Sequence, residues 1–417
     1  YNLAAGLRRQ FGQRCPGEPG LCLALDNKAL VAAALLAALA GGPPLLLPHT
    51  LSAQGLEQLQ ERTGCTVALV DRYRPLPAAM QAVFVEPPAK PLSWHDQDGQ
   101  AEAELLRIFT GGSTGTPQIW SKTAINLFCE GFFLARHFRV DGGDTILATI
   151  PPYHIYGLLY SVIMPLLAGA TVIEETPSFP NEIVATVRQH HATILAAVPA
   201  HYRVLRDKAL GLRLAFSSAG MLDREDAEEF AIHNPQGIVE VYGSTETGGI
   251  ATRIRARGEE QFTPFSLIHW KRFDGRLAVA SPYLSPELSV DGDGYFLTND
   301  RIEVTKEAGF LLKGRIDAIT KVGGKRVDLD EICRLIKGME TVVDCYVIAL
   351  PEPSGREHRI CAVVEGDQVD CQGLLKTLGL SLEPYALPKR LKKVDKIPMT
   401  GSGKYDRDAI ILLLGES

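Results

Sequence analysis

The sequence predicts an α/β protein: a large N-terminal domain of layered α/β subdomains with a small β subdomain, then a small α+β C-terminal domain. Three observations carry this. Apolar helix-like and strand-like segments alternate through residues 22–241, the rhythm of parallel sheets with crossover helices. After Gly249 that rhythm gives way to short strand-like pieces punctuated by Gly, Asp and Pro. From Ile316 a compact run of helix, strand, strand and helix follows, roughly 100 residues long and enough for a separate domain. At 417 residues the chain can bury the cores that such a division needs.

Taken in order, residues 30–39 are almost wholly Ala, Leu and Val and predict a buried helix started by Asp26. At about ten to twelve residues the run is too short to span a bilayer, and Gly41-Gly42-Pro43-Pro44 breaks it. Residues 44–48 lead from a short strand, and a helix near 52–63 and a strand at 66–70 continue the alternation. Residues 86–100 shift to Pro, Asp, Gln and Trp and predict a linker. Residues 105–109 form a strand end, followed by a Gly-rich loop, a helix at 124–138 and a strand at 145–150. Beyond a segment at 151–167 come strand 170–173, helix 180–190 and strand 193–197. Strand 214–218 runs into Ala219-Gly220, and strand 238–241 into Tyr242-Gly243-Ser244-Thr245-Glu246. In open α/β sheets ligands bind beyond the carboxyl ends of strands, so these strand-end loops are expected to converge. Short strands at 277–280, 294–297 and 310–312 make the β subdomain. Helix 329–337, strands 342–350 and 359–365, and helix 371–378 make the tail.

A formal charge of −6 gives no global attraction to nucleic acid or an anionic membrane. The eight cysteines show no C-x-x-C spacing, which argues against a zinc site or a disulfide framework and fits reduced thiols in the cytoplasm. The chain opens on Tyr1 rather than methionine, so a preceding segment is expected.

The loop at 109–118, Phe-Thr-Gly-Gly-Ser-Thr-Gly-Thr-Pro-Gln, suits a phosphate cradle. Gly111, Gly112 and Gly115 free the backbone N–H groups to face an anion, while Thr110, Ser113, Thr114 and Thr116 add hydroxyls. Two other readings stay open on the residues alone. The cluster could be an ordinary loop, or Gly111-Gly112-Ser113-Thr114-Gly115 could be the G-x-S-x-G elbow of a hydrolase, although Thr116-Pro117 delays the helix that an elbow needs. Lys does not follow the last glycine, so it is not a Walker loop.

In order and type, these loops resemble those of the adenylate-forming superfamily of acyl- and aryl-CoA synthetases, nonribosomal adenylation domains and luciferase. The likeness runs from the helix at 30–39 to Arg407. It implies that residues 110–118 wrap the β- and γ-phosphates of ATP and that His154, in Tyr153-His154-Ile155-Tyr156-Gly157, lies beside the substrate carboxylate. Ser218, Ala219 and Gly220 would contact adenine, and Tyr242 would stack on it beside Gly243. Thr245 would touch the α-phosphate, and Glu246 would hold Mg²⁺, for which a carboxylate oxygen is a suitable ligand. Asp300 would grip both ribose hydroxyls with Arg315 beside it, and Asp317 would be a hinge. Gly324 would let a pantetheine arm pass, Arg326 would face the site after the tail swings, and Lys404, in Gly401-Ser402-Gly403-Lys404, would be the catalytic lysine.

The resemblance divides the chain into an adenylation domain at 1–315 and a mobile domain at 316–417. Gln118 stands where many members carry lysine, Gly111 replaces a hydroxyl residue, Met221 a proline and Asn299 a glycine. The portion ahead of the phosphate loop is shorter than usual, and Lys122 is near enough to stand in for the missing cation. The implied activity is an ATP-dependent, AMP-forming ligase. It would activate an aryl or acyl carboxylic acid and pass it to CoA or to the phosphopantetheine of a carrier protein. The alternative is a catalytically weak nucleotide or small-ligand binder on the same fold. Tyr153, Tyr156 and Phe216 lean toward an aryl acid, although core packing explains them equally well.

Overall fold

The computed structural model describes residues 2–15, 17–85, 102–110, 118–306, 308–316, 318–322, 325–351, 358–401 and 403–415. The chain divides into two compact units. One holds Tyr1–Trp270, Val279–Phe296 and Gly401–Gly403; the other holds Lys271–Ala278, Leu297–Thr400 and Lys404–Ser417.

The first unit begins with α1 (Asn2–Arg14) and a sheet of β1 (Leu21–Ala24), β2 (Leu45–Leu47), β3 (Val67–Val70), β4 (Gln81–Phe84), β5 (Glu104–Thr110) and β6 (Gln118–Thr123). Their order is β4-β3-β1-β2-β5-β6, with β1 to β5 parallel and β5/β6 an antiparallel hairpin. Every residue of β1, β2 and β3 is buried, as near-continuous apolar runs in a sheet covered on both faces should be. α2 (Lys28–Leu39) is the Ala/Leu helix, and α3 (Ala53–Thr63) starts on Ser52, whose side chain accepts the Gly55 N–H.

The start of α2 differs from the expectation by one residue. Asn27, not Asp26, accepts the Leu30 N–H, at 3.0 Å. The N–H groups of Asp26 and Asn27 both donate to Asp71, while the Asp26 carboxylate turns to Arg72 and Arg74, so the cap passes to the next side chain.

A second sheet comprises β7 (Thr145–Ala148), β8 (Thr171–Val172), β9 (Ile194–Ala197), β10 (Leu214–Ser217), β11 (Val239–Ser244), β12 (Gly248–Arg253) and β13 (Thr263–Pro264), in the order β13-β12-β11-β10-β9-β7-β8. The run from β8 to β11 is parallel, whereas β12 and β13 join antiparallel. Its helices are α4 (Ala124–His137), α5 (Ile155–Leu158), which continues through a π-helical turn into α6 (Met164–Ala168), then α7 (Pro180–Gln189), α8 (Pro199–Leu205) and α9 (Arg224–His233). The core on one face gathers Leu147, Leu195, Tyr202, Ala215 and Phe230. The two sheets are joined by Lys28 of α2. Its buried ammonium donates to the carbonyls of Ile173 and Glu175, and burial lowers its pKa to about 8.

The second unit takes in most of a sheet ordered β14-β15-β16-β17: β14 (His269–Phe273), β15 (Arg276–Ala280), β16 (Phe296–Val304) and β17 (Phe310–Arg315). A hairpin of β18 (Ile319–Val322) and β19 (Lys325–Asp328) precedes α10 (Leu329–Lys337). A three-stranded sheet of β20 (Asp344–Pro351), β21 (His358–Glu365) and β22 (Arg390–Val394) follows, with α11 (Cys371–Leu378) and α12 (Arg407–Leu413). Asp328, Asp370 and Asp406 cap the three helices in turn. Ile332 and Ile336 of α10 bury against Val347, Ile360 and Val364, the stripe that its periodicity encodes. All eight cysteines are free, and Cys333 and Cys345 approach to 3.0 Å between sulfurs, a proximity that their spacing did not announce.

Candidate nucleotide and acid site

In the first unit the strand ends build the candidate site. Thr110 pairs with Gln118 across β5 and β6, so the Gly-rich loop enters and leaves at adjacent positions. Gly111, Gly112, Ser113, Thr114 and Gly115 lie outside the described residues, as do the linker at 86–100, Asp317 and Gly324. Gln118 continues as a strand rather than a helix, unlike the strand-to-helix turn of a hydrolase elbow.

Ser218 follows β10 and donates to the Val241 carbonyl of β11 at 2.9 Å, which fixes the two strand ends together. Ala219 holds φ +71°, a left-handed conformation that costs a side-chain-bearing residue about 1 kcal/mol or more and turns the Ser218–Gly220 backbone away from the strand. The next strand end carries Tyr242 and Gly243. The Tyr242 ring lies 5.6 Å from that of Phe262, with the Arg253 guanidinium over Phe262 and paired bidentately to Glu240. Gly243 is obligatory there, because a Cβ would sit 2.3 Å from the Gly248 carbonyl oxygen on β12.

Thr245 and Glu246 occupy the turn between β11 and β12. Ser244 and Thr247 hydroxyls close it at 2.8 Å, and Gly248 completes it at φ +69°. The Glu246 main-chain carbonyl accepts from Ser285 N–H at 2.8 Å and from Lys122 Nζ at 3.3 Å, whereas its carboxylate has no hydrogen-bond partner among the described residues. Among the described residues no three His, Cys, Asp or Glu side chains gather into a metal cluster. A single open carboxylate nevertheless fits Mg²⁺, which is bound by one or two carboxylates together with substrate phosphates.

The expectation for Lys122 requires correction. Its side chain is 1% exposed, and the ammonium donates to the carbonyls of Tyr283, at 2.6 Å, and Glu246. Burial lowers its pKa to about 8, against the pull of Glu130. It is committed to backbone oxygens rather than available to replace the cation missing at Gln118. Glu130, buried on α4 and accepting the Gly249 N–H, was not anticipated; the signal was a lone carboxylate in the apolar run Asn126-Leu127-Phe128-Cys129-Glu130.

His154 opens α5 with its ring 4.7 Å from that of Tyr153. The turn is tight. A Cβ at Gly157 would fall 2.1 Å from the Pro151 carbonyl oxygen, so Gly157→Ala is expected to cost about 1–3 kcal/mol and to displace His154. A lower denaturation midpoint checks it. Two residues that leaned toward an aryl pocket belong to the core. Tyr156 hydroxyl donates to the carbonyls of Phe216 at 2.9 Å and Ala197 at 3.2 Å, and Phe216 is fully buried.

In the second unit Asp300 and Arg315 face each other across β16 and β17, with 3.5 Å between carboxylate and guanidinium. Gly314, at φ +85°, lets the Arg315 N–H reach Asp330 at 3.2 Å. Arg326 pairs with Lys321 in the β18/β19 hairpin. Lys404 is exposed on a small loop closed by the Met399–Tyr405 bridge and by Thr400, whose N–H and hydroxyl donate to the Lys404 carbonyl. Tyr405 anchors that loop by donating to the buried Asp344, which also pairs with Lys337 at 2.7 Å. Burial and Asp344 push the Tyr405 phenol up, which keeps it a donor.

This α/β fold, with the Ser218–Gly220 and Thr245–Glu246 turns at adjacent strand ends, is that of adenylate-forming enzymes. The chain belongs to the AMP-binding enzyme family: the family model matches residues 1–264, and that of the AMP-binding enzyme C-terminal domain matches residues 334–404. It is similar to a sulfoacetate–CoA ligase of Cupriavidus necator, 25% identical over 80% of this chain and 69% of that protein. It is also similar to a 4-coumarate–CoA ligase of Halorhodospira halophila, 29% identical over 67% and 68%. Among solved structures, ATP-bound MatB of Rhodopseudomonas palustris superposes with a TM-score of 0.82 at 19% identity, covering 98% of this chain and 91% of that one. The AMP complex of o-succinylbenzoate CoA synthetase from Bacillus subtilis gives 0.79 at 18% identity, over 97% and 91%. No helix among the described residues is long and apolar enough to cross a membrane.

Proposed function

We propose that the protein is an ATP-dependent, AMP-forming ligase that activates an aryl or acyl carboxylic acid and transfers it to a thiol. The observation that carries this is the pairing of strand ends in the first unit: the strained Ser218–Gly220 turn tied to Val241, with Tyr242 on the neighbouring strand and the open Glu246 carboxylate in the turn that follows it. CoA is the preferred acceptor, because the relatives above are named CoA ligases; a carrier-protein phosphopantetheine is the second candidate.

Attack of a carboxylate on the α-phosphorus brings like charges together, so the site must supply positive charge and fixed donors. Mg²⁺ held by Glu246 would neutralise the triphosphate. Thr245 donates toward the α-phosphate, His154 orients the acid, Asp300 holds the ribose and Lys404 stabilises the oxygens around the reacting phosphorus. The C–O–P bond forms as pyrophosphate leaves. The thiol then attacks the acyl carbon, and AMP departs with the former carboxylate oxygen. In this reading the mobile domain begins at 316 and turns at Asp317 between the two half-reactions.

Pyrophosphate exchange into ATP across a panel of carboxylic acids tests it: acid-dependent exchange is expected, and exchange with none of the acids favours the non-catalytic binder. Gly324→Leu is expected to block thioester formation while leaving exchange intact. Unchanged transfer to CoA would remove Gly324 from the thiol path.

A further inference from the structure

We propose that Lys122 and Glu130 form a buried clamp that fixes the position of Glu246, making both of them positioning residues for the metal. The inference rests on Glu246 as the Mg²⁺ ligand. Lys122 stands on β6, on the strand that leaves the phosphate loop, and its ammonium donates to the main-chain oxygens of Tyr283 and Glu246. Glu130, on the following helix, accepts the Gly249 N–H at 2.7 Å on the far side of the same turn. Its other carboxylate oxygen lies 2.7 Å from where a Cβ on Gly248 would stand, so the turn is shaped around it. One arm of the turn is therefore held by a cation on a carbonyl and the other by an anion on an N–H, with both ions nearly inaccessible.

An apolar pair of similar volume would stabilise the fold as well or better, because burying two ions costs several kcal/mol before their partners repay it. What the ions add is direction. Holding the Glu246 carbonyl from Lys122 and from Ser285 fixes the peptide plane from which the carboxylate projects. It also ties the metal ligand to β6.

The test uses the full chain, with ATP binding titrated against Mg²⁺ in the absence of acid, AMP binding without Mg²⁺, and the thermal midpoint. Lys122→Met with Glu130→Gln removes both charges while the amide still accepts from Gly249. The double variant is expected to keep its midpoint and its AMP affinity. The Mg²⁺ needed for half-maximal ATP binding should rise about tenfold, the order seen when a partner of a metal ligand is lost. An unchanged Mg²⁺ requirement in the folded variant, or equal losses for AMP and ATP, overturns the clamp. Should the methionine variant not fold, Lys122→Gln with Glu130→Gln must show the same Mg²⁺ shift. Glu246→Gln separates the two levels. If it leaves the Mg²⁺ requirement unchanged, the metal assignment falls and the clamp with it. If it shifts that requirement and the clamp variants do not, only the clamp falls.

Discussion

Lys404→Ala is expected to slow acyl-adenylate formation by about 10²–10³, the order for removing one preorganised donor to transition-state charge. Transfer of a supplied acyl-adenylate to the thiol should be spared, because the thiol attacks carbon and releases AMP without a triphosphate to neutralise. The loop around Lys404 is held by the Thr400 contacts, and by Tyr405 through Asp344 and Lys337, none of which needs the lysine side chain. The variant should therefore fold normally. Single-turnover measurements of both half-reactions check this, and equal losses in the two would remove Lys404 from its assigned role.

Asp300→Ala should weaken ATP and AMP alike, since both carry the ribose. A hydrogen bond to a charged group contributes about 1.5–3 kcal/mol, so losing two corresponds to at least about 10² in affinity. Stability should change little. The Asp300–Arg315 pair is long at 3.5 Å and Arg315 is half exposed, a setting in which ion pairs are worth about 0–1 kcal/mol. Calorimetric titration with AMP reads the effect directly, and wild-type affinity would place the ribose elsewhere.

Two helices of the tail were legible to the residue: α10 and α11 fall at 329–337 and 371–378, where apolar periodicity and an Asp cap coincide, whereas α12 was not foreseen. The β subdomain was foreseen, but β16 runs on to Val304 between β15 and β17, because its second half, with Glu303 and Val304 exposed, carries no apolar pattern to mark it. α9 was missed for a related reason: Arg224-Glu225-Asp226-Ala227-Glu228-Glu229 reads as a solvated stretch, whereas Ala227 and Phe230 pack into the core and buried Asp226 pairs with Arg203 and Arg206.

At the site, motif order singled out the loops, and the resemblance already set Arg315 beside Asp300, which the register of β16 on β17 brings together. Lys122 misled. A lysine near a phosphate loop suggests an available cation, and only burial between Tyr283 and Glu246 reveals that backbone carbonyls already claim it. The assignment of Tyr156 turned on its hydroxyl, which finds two strand carbonyls and so belongs to packing rather than to a substrate.

In the proposed reaction a substrate carboxylate oxygen becomes bonded to the α-phosphorus of ATP. Running the complete reaction with an acid labelled with ¹⁸O in its carboxylate tests this most directly, with mass analysis of the nucleotide and pyrophosphate products. Label in AMP and none in pyrophosphate is expected. Unlabelled AMP, or a labelled phosphate released together with ADP, would contradict it.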